Sequence, residues 1–560
     1  MPFFNAVEKR PVTALLLLCL ALYLPGLFTL PALDRDEARF AQATVQMHET
    51  GDYIVPHFQE DLRAKKPVAI YWAQAVTSGA ASLVGLDDPN GHPGIWAFRI
   101  PSLIAAILVV LLTWRVASLF YGRRAGLMAG ALIATTVVLV AEANIAKTDA
   151  ALAASIMAAQ LALARVWLAR DPTRFDPGLG NAVLFWVAMS IGILLKGPIA
   201  PMISGLTMVG LVVATREIKW VFLLRPIRGG VLLLLLTLPW AVSVWLSTNG
   251  AFFGEAVGGD FLPKLAGGQE SHGAPFGYYT LLLLVTFFPA NLLLMPAIAR
   301  AWGERQSAPV MFLAAWIIPN WLVYEIVPTK LPHYVLPVYP ALAILVAALL
   351  AASLKNPQLL KTKLARANIV AWALVALVLA AAIVALPVLL PEGTAVEPGP
   401  WPVVGAGIFA AMAVQVLAQA WRARASGVVL AVAVTGIAFS VALLEFARPR
   451  VDPLWVGERT AQAMEDRDLV GMRVVSAGFS EPSLVFALGT KTRLTNGTAA
   501  ANALAVGEAD IALVEEREAA TFFEEATRLG ITPVPALTVD GLNYSRGDAV
   551  SLTAYLLTTR

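Results

Sequence analysis

Charge and cysteine are both scarce in this sequence. Only 14% of its 560 residues are charged, against roughly 25% in a typical soluble globular protein, which excludes a cytosolic enzyme and an intrinsically disordered chain. The net charge of +3 is scattered without a basic run, which excludes a nucleic-acid-binding protein. The single cysteine, Cys19, excludes a disulfide framework and a cysteine-based zinc cluster. Because Cys19 lies within a leucine run, we expect a buried thiol.

Apolar residues dominate the chain instead. They make up 58% of it, and its mean hydropathy is +0.70. Apolar stretches close to the roughly 20 residues that span a bilayer recur along the first 446 residues. The first stretch follows Lys9 and Arg10, and we interpret it as a membrane anchor because no small-residue cleavage site follows. We predict about 13 membrane helices, to within one or two, near residues 11–31, 97–120, 124–142, 148–169, 181–195, 198–214, 228–247, 276–299, 310–327, 333–353, 367–390, 402–420 and 427–446.

The last fifth of the chain has a different composition. Residues 447–560 carry 15 acidic and 11 basic side chains, as expected of water-soluble protein. We therefore predict a transmembrane domain at residues 1–446, with additional helices outside the membrane around 34–90, and a soluble domain at 447–560. The boundary is predicted near residues 448–450, just after the last apolar stretch.

The soluble segment has the pattern of a small α/β domain. Residues 473–477 and 510–514 are typical of buried strands. Residues 519–529 are typical of a helix that ends at Gly530. No nucleotide-binding fingerprint and no catalytic constellation is visible there, so we expect a structural or docking role.

The distribution of basic residues predicts the orientation in the membrane. Lysine and arginine concentrate in seven alternate connections, which the positive-inside rule places in the cytoplasm. The N-terminus is then cytoplasmic, and an odd number of helices places the C-terminal domain outside. These basic residues are Lys9, Arg10, Arg123, Arg124, Arg170, Arg174, Arg216, Lys219, Arg225, Arg228, Arg300, Arg305, Lys355, Lys361, Lys363, Arg366, Arg422 and Arg424.

The predicted outer face holds the candidate functional residues, because ionisable groups at a membrane border are costly. Asp36 and Glu37 directly follow the first membrane helix, within a dense cluster of charges at residues 34–39. One interpretation is a helix cap, since an acid accepts free backbone N–H groups at a helix start. A cap needs only one acid, however, so the cluster also indicates a functional site.

Lysines recur in the other outer connections. Lys65 and Lys66 could contact lipid headgroups, or they could clamp a phosphate. Asp149, after Lys147, could be a helix cap or a second functional carboxylate. The remaining candidates could instead be ordinary interfacial or loop residues without a functional role. They are Lys196, Lys330, His333, Tyr334, His272 and Lys264.

A few carboxylates among several cations suit an anionic, lipid-linked substrate and a nucleophile that must lose a proton. A lipid transporter or flippase would also hold such cations, but it would be expected to show two matched halves and polar residues deep in the membrane. Neither feature is visible in the sequence. A non-catalytic scaffold would not need the clusters at residues 36–39 and 330–334.

Seven short motifs occur in a defined order along roughly the first 350 residues. They are DEARFA at 36–41, GDYIVP at 51–56, KP at 66–67 with YW at 71–72, RIPS at 99–102, KTD at 147–149, LKGP at 195–198 and KLPHYVLP at 330–337. Each motif is weak alone, but the ordered set resembles the aminoarabinose transferase and protein mannosyltransferase family of type-C membrane glycosyltransferases. The C-terminal segment shares no motif with that family and resembles it only in being a small periplasmic domain that follows 13 helices.

This resemblance implies an inverting transfer of a sugar from a polyprenyl phosphate carrier to an acceptor outside the bacterial cytoplasmic membrane. The donor sugar could be aminoarabinose-like, a uronic acid or a hexose. The acceptor could be lipid A or its core sugars, a protein, or another envelope glycan. The scattered net charge predicts no nucleic-acid partner, and we expect a monomer in the inner membrane.

The same resemblance implies roles for individual residues. The expected catalytic carboxylates are Asp36, Asp149 and Glu37. The expected donor-phosphate ligands are Arg39, Lys66, Lys65, Lys196, Lys330, His333 and Tyr334. Other expected substrate contacts are Lys147, Tyr71 and His272.

One position departs from the family pattern. In aminoarabinose transferases a glutamate commonly precedes the lysine of the Lys-Pro motif and can hold zinc together with a loop histidine. Here that position is Lys65, and a cation cannot ligate zinc. We therefore expect no required cofactor and no catalytic metal, and we expect a structural zinc site at His272 to be absent or rebuilt. The departure also leaves the identity of the sugar open.

Overall fold

The computed structural model describes residues 7–170, 177–266, 273–386, 399–448 and 451–557. Its membrane region is helical, because backbone N–H and C=O groups in lipid must be bonded within the protein. The helices outside the C-terminal segment are α1 (Pro11–Tyr23), α2 (Asp36–Thr50), α3 (Ala69–Leu83), α4 (Ile95–Tyr121), α5 (Arg123–Ala134), α6 (Val137–Ala143), α7 (Asp149–Leu168), α8 (Gly178–Lys196), α9 (Ile199–Thr215), α10 (Pro226–Ser247), α11 (Ala251–Phe253), α12 (Leu262–Ala266), α13 (Tyr278–Thr286), α14 (Leu294–Gly303), α15 (Ala308–Ile326), α16 (Tyr339–Ser353), α17 (Lys363–Ala385), α18 (Trp401–Trp421) and α19 (Ala425–Val441).

Within the described ranges, nine helices are long and apolar enough to cross a membrane, and two bent helix pairs raise this number to 11. The shorter apolar helices α1 and α9 add two further candidates. The predicted total of 13 therefore stays a prediction. Short segments continue or connect these helices: 3-10 turns at Lys219–Leu224, Ala290–Leu293, Leu336–Val338 and Pro357–Leu360, and π-helical turns at Gly254–Phe261 and Ala442–Ala447.

Three predicted helices differ from the observed ones. The helix predicted at 11–31 ends at Tyr23, shortly before Pro25, which has no backbone N–H to continue the helical hydrogen bonds. The helix predicted at 124–142 bends by 67° between α5 and α6. At that break the hydroxyls of Thr135 and Thr136 donate to the carbonyls of Leu132 and Ile133, which competes with the helical pattern. The helix predicted at 276–299 turns by 114° between α13 and the segment Ala290–Gly303, next to Pro289.

Burial separates the inner helices from the outer ones. In α7, 78% of the most apolar window is buried, and the segment Leu336–Ser353 reaches 83%. In α10 only 22% of that window is buried, as expected of a helix whose apolar side chains face lipid. The interior of the bundle is therefore built around α7 and α16, and the N-terminal end of α7 carries a candidate site residue, Asp149.

The C-terminal segment folds as a five-stranded mixed sheet with helices on both faces. Its strands are β3 (Val474–Ala477), β4 (Arg493–Thr495), β5 (Ile511–Glu515), β6 (Pro533–Asn543) and β7 (Asp548–Leu557), arranged in the order β4-β3-β5-β7-β6. The β3 strand pairs in parallel with β4 and β5, and β7 is antiparallel to β5 and β6. Its helices are α20 (Val456–Glu465), α21 (Pro482–Leu488), α22 (Gly497–Ala505) and α23 (Glu516–Leu529), after a 3-10 turn at Asp452–Leu454.

The local predictions for this segment agree with the structure. Both predicted strands are present and fully buried, and α23 ends at Gly530, which has the left-handed φ of 67°. Residues 449–450 of the predicted boundary lie outside the described residues, so the division at 446 and 447 stays a prediction. A hairpin of β1 (His57–Phe58) and β2 (Asp61–Leu62), together with α2 and α3, lies between the membrane helices and this sheet.

Candidate active site

A cavity of about 550 Å³ lies where the predicted outer connections meet the C-terminal segment. Seven separate stretches of chain form it: the start of α2, the loop before α3, the start of α7, the end of α8, α12, the loop before α16, and residues 480–481. Its lining residues are Asp34, Arg35, Asp36, Arg39, Phe40, Arg63, Lys65, Lys66, Lys147, Thr148, Asp149, Lys196, Lys264, Thr329, Leu331, His333, Tyr334, Ser480 and Glu481.

Asp36 presents its carboxylate to this cavity. It is the first residue of α2, yet the helix start has no side-chain cap, so the carboxylate is not used by its own backbone. No described residue forms a hydrogen bond or an ion pair with it. Burial in the protein opposes ionisation of Asp36, but the positive charges of Arg63, Lys66 and Lys147 prevail and lower its pKa. Asp36 therefore carries its negative charge at neutral pH.

Glu37 lies outside the cavity lining. Its side chain is fully buried, and its two oxygens accept from Nε and Nη2 of Arg99 at 2.8 and 2.9 Å. The backbone N–H groups of Leu33 and Ala146 also donate to it. Because every one of these bonds anchors the chain, the expected catalytic role of Glu37 does not fit its position.

Asp149 is the first residue of α7 and lies within a buried network of charges. Nζ of Lys196 is 2.5 Å from its Oδ1, and Nε2 of His333 is 3.5 Å from its Oδ2. Lys147 lies 3.8 Å from Asp149 and 2.9 Å from Glu142. The structure thus brings four predicted residues together and adds Glu142, which the sequence analysis missed. The available signal was a lone acid in an apolar stretch.

His333 is neutral in this network. Burial and the positive charges of Lys147 and Lys196 lower its pKa to about 3, against the opposing charge of Asp149. Nζ of Lys147 lies 3.2 Å from Nδ1 of His333, and an ammonium can only donate. The hydrogen-bond pattern therefore assigns the ring proton to Nε2, which faces Asp149.

Lys66 also lines the cavity, and it loses its charge in the mildly alkaline range. Its Nζ is 3.4 Å from Asp260 and donates to the carbonyl of Lys65 at 2.9 Å. Asp260 is also paired with Lys264 at 2.5 Å. Burial and the positive charge of Lys264 lower the pKa of Lys66 to about 8, although Asp260 opposes the shift. The positive charge of this wall thus depends on pH in the alkaline range.

The other predicted phosphate ligands divide into two groups. Arg39, Lys65, Lys196 and Tyr334 line the cavity, and the ammonium of Lys196 lies 4.8 Å from the centre of the Tyr334 ring. Lys330 does not line the cavity. Its Nζ donates to two backbone carbonyls at 2.8 and 2.9 Å, so it stabilises the loop around residues 274 and 327–330.

Tyr71 lies next to the cavity and contacts one of its lining residues. It is buried outside the cavity lining, and its hydroxyl accepts from Nε of Arg63 at 2.9 Å. Arg63 itself lines the cavity and packs over the ring of Phe40. A direct substrate contact by Tyr71 therefore does not fit this geometry, and its position indicates that it orients Arg63.

Lys264, a candidate with no assigned role, adds positive charge to the lining. Other lining residues were not among the candidates. Arg63 adds further positive charge, and Ser480 and Glu481 form a wall from the C-terminal segment. Arg63 lies next to the Lys-Pro motif, so its proximity could have been inferred from the sequence. The contribution of residues 480–481 could not, because more than 400 residues separate them from α2.

No group of three His, Cys, Asp or Glu side chains in the described ranges could hold a metal ion. His272 lies outside the residues that the structure describes. The expectation that a zinc site is absent or rebuilt therefore stays a prediction.

Comparison with known proteins supports the family resemblance. The family described as dolichyl-phosphate-mannose-protein mannosyltransferase matches residues 66–245. The undecaprenyl phosphate-alpha-4-amino-4-deoxy-L-arabinose arabinosyl transferase of Serratia proteamaculans is 29% identical over 56% of this chain. The protein of the same name in Yersinia pestis is 26% identical over 59% of it. These matches cover 54% and 58% of the two relatives, so this chain spans less than two thirds of either.

Solved structures extend the similarity to the whole fold. The crystal structure of ArnT from Cupriavidus metallidurans bound to undecaprenyl phosphate aligns over 97% of both chains, with 18% identity and a TM-score of 0.76. The Archaeoglobus fulgidus oligosaccharyltransferase covers 94% of this chain and 69% of its own, with 12% identity and a TM-score of 0.50. The predicted resemblance to the aminoarabinose transferase and protein mannosyltransferase family is thus confirmed. The chain is a multi-pass helical membrane protein that shares its fold with ArnT of Cupriavidus metallidurans and has a small C-terminal sheet region.

Proposed function

We propose that this protein is an inverting glycosyltransferase of the bacterial inner membrane. It moves a sugar from a polyprenyl phosphate carrier to a cell-envelope acceptor, such as lipid A or another part of lipopolysaccharide. The observation that carries the proposal is the cavity in which the charged carboxylate of Asp36 faces several cations and is bonded to none of the described residues. The names of the relatives and the undecaprenyl phosphate bound in the similar ArnT structure support the same donor class.

The cations of the cavity would bind the carrier phosphate and stabilise it as the leaving group. Arg39 and Arg63 offer planar forks for phosphate oxygens, and Lys66 offers a compact charge. As the bond between the anomeric carbon and the phosphate oxygen breaks, that oxygen gains negative charge. Preorganised cations at the cavity wall lower the energy of this charge separation.

Asp36 would act on the acceptor or on the sugar. An acceptor hydroxyl needs a base, and Asp36 would accept its proton as the oxygen attacks the anomeric carbon. An ionised acceptor phosphate needs no base, and Asp36 would then stabilise positive charge at the sugar. The low pKa of Asp36 supports the second role, because a weak base retains its charge throughout the reaction. Attack from the face opposite the carrier phosphate inverts the anomeric centre.

Asp149 would position the cations around it. Its short pair with Lys196 and its contact with His333 leave it little freedom to react. We therefore assign Asp149 to the orientation of Lys196, next to Tyr334 at the cavity wall. In this proposal the chain acts as a monomer, its N-terminus is cytoplasmic, and the cavity and the C-terminal segment are periplasmic.

The test is carrier release by the purified protein in detergent. The protein is incubated with a polyprenyl-phosphate sugar and a membrane extract as acceptor source, and free polyprenyl phosphate is measured. We expect Asp36→Asn to lower the rate by at least about 100-fold while the variant remains folded. The matched control is Asp61→Asn, which makes the same chemical change on the exposed hairpin.

Release that depends on both Asp36 and the extract would support the transferase, and a labelled sugar would then identify the acceptor. Normal release by a folded Asp36→Asn variant would contradict the role of Asp36. No release from several donor sugars, with the lipid still bound, would favour a lipid transporter or a binding protein instead.

A further inference from the structure

We propose that the C-terminal segment positions the Asp36 carboxylate in this site, because it holds the turn at Asp34 and Arg35. The catalytic meaning of this inference rests on the proposed function. The positioning of Asp36 by this segment can be measured separately from the reaction. Residues that act in this way are positioning residues, since they act on the reaction only through Asp36.

The turn before Asp36 has an unfavourable backbone conformation. Arg35 has φ of 65° and ψ of −103°, a region that a residue with a side chain rarely adopts. Such a conformation persists only where the surrounding structure over-determines it. The contacts that hold this turn are therefore expected to be unusually specific.

Those contacts come from the C-terminal segment. The backbone N–H of Asp34 donates to the hydroxyl of Tyr544 at 2.5 Å. Nη2 of Arg35 donates to the carbonyl of Ser545 at 2.9 Å. The backbone N–H of Ser483 donates to Oδ1 of Asp34 at 3.2 Å. Three bonds from residues about 450 to 510 positions away thus converge on two consecutive residues.

The two loops that supply these bonds form one unit. Nδ2 of Asn543, at the end of β6, donates to Oε1 of Glu481 at 3.0 Å. Glu481 and its neighbour Ser480 also line the cavity. A displacement of one loop would therefore disturb both the turn and the cavity wall.

The other side of Asp36 is held by the membrane helices. Glu37 is bonded to Arg99 in α4 and to the backbone N–H of Ala146 before α7. Asp36 thus lies between an anchor in the membrane region and an anchor in the C-terminal segment. With the turn released, Asp36 would remain at the helix start but would lose its fixed direction, since only the second anchor would remain.

The experiment uses Tyr544→Phe, which removes the hydroxyl that accepts from Asp34 and keeps the ring. The matched control is Tyr555→Phe, the same change in β7, where the ring packs against Phe522 and Phe523. Hydrogen–deuterium exchange of residues 33–38 reports the turn directly. Carrier release, measured as kcat and as KM for the donor, reports its effect on the reaction.

We expect Tyr544→Phe to raise amide exchange at residues 33–38 by about tenfold and to lower kcat by about tenfold, with donor KM changed less than about twofold. Tyr555→Phe should leave both unchanged. Unchanged exchange in Tyr544→Phe would overturn the inference, and so would faster exchange with an unchanged kcat. If the wild-type protein transfers no sugar, the proposed function fails, and the exchange of residues 33–38 still decides whether Tyr544 holds the turn.

Discussion

At the scale of single residues, the cavity contains groups whose charge is constant around neutral pH and one group, Lys66, whose charge changes with pH. Asp36 is ionised and His333 is neutral at neutral pH, because their pKa values are both lowered. Lys66 differs, since its pKa of about 8 lies close to physiological pH. In the proposed function the protonated form of Lys66 binds the carrier phosphate, so affinity for the carrier should decrease as pH rises through this value.

The corresponding prediction concerns carrier binding to Lys66→Arg. In the wild-type protein, we expect the Kd for a polyprenyl phosphate to rise by about tenfold between pH 8 and pH 9.5, because phosphate must then bind a deprotonated lysine. In Lys66→Arg the guanidinium stays charged, so the Kd should be nearly constant over this range. Titration of the purified proteins with the lipid at both pH values measures this difference.

Lys355→Arg is a suitable control, because it makes the same change at an exposed loop residue outside the cavity lining. It should keep the pH dependence of the wild-type protein. An equally steep loss of affinity in Lys66→Arg would show that another group causes the pH dependence.

At the scale of structural elements, one buried ion pair anchors α2 to the membrane helices. Glu37 and Arg99 have no exposed side-chain area, and they join α2 to α4. Burial opposes the charge on Glu37, but Arg99 and two backbone N–H groups lower its pKa below the usual range. The pair therefore stabilises the protein at neutral pH, and this contribution is lost as pH falls through the lowered pKa.

We predict that Glu37→Ala destabilises the protein by about 3–5 kcal/mol, because it leaves the Arg99 guanidinium buried without its partner. Thermal unfolding in detergent measures the effect at pH 7. The control is Glu304→Ala, which breaks the partly exposed pair with Arg300 and should cost less than about 1 kcal/mol. Equal melting temperatures for the two variants would contradict the anchoring role of Glu37.

At the scale of the whole molecule, the site is assembled from both ends of the chain, which requires the cavity and the C-terminal sheet to lie on the same side of the membrane. The hydrogen bonds that join residues 34 and 35 to Tyr544 and Ser545 place the cavity and the sheet on the same side. The positive-inside rule predicts that this side is the periplasm.

The prediction is an opposite labelling pattern for two introduced cysteines. The native thiol, Cys19, is buried, so the wild-type protein gives a low background. We expect a membrane-impermeant maleimide to label Glu524→Cys, on exposed α23, when only the outer membrane is permeable. Lys355→Cys, in an exposed loop between α16 and α17, should react only after the inner membrane is disrupted. The reverse labelling pattern would show that the topology is the opposite of the predicted one. Labelling of both cysteines while only the outer membrane is permeable would contradict the prediction that they lie on opposite sides.

The sequence by itself determined the fold class, most helix positions and two of the five C-terminal strands. These follow from local physics: long apolar stretches must form helices in lipid, and a short buried strand has its own composition. It also predicted which outer connections hold the candidate site, because charges at a membrane border are costly wherever they occur. Asp36, Asp149, Lys66 and His333 were all expected near a site, and the structure places all four at one cavity.

Only the tertiary structure decided how neighbouring residues divide their roles. Asp36 faces the cavity and Glu37 faces Arg99, because consecutive side chains on a helix point in different directions. Lys330 bonds to backbone carbonyls, although its motif resembles a ligand. The contribution of Glu481 and Tyr544 depends on contacts across some 450 to 510 residues of sequence. No local pattern encodes such contacts, since they arise only when the packed elements bring the two ends of the chain together.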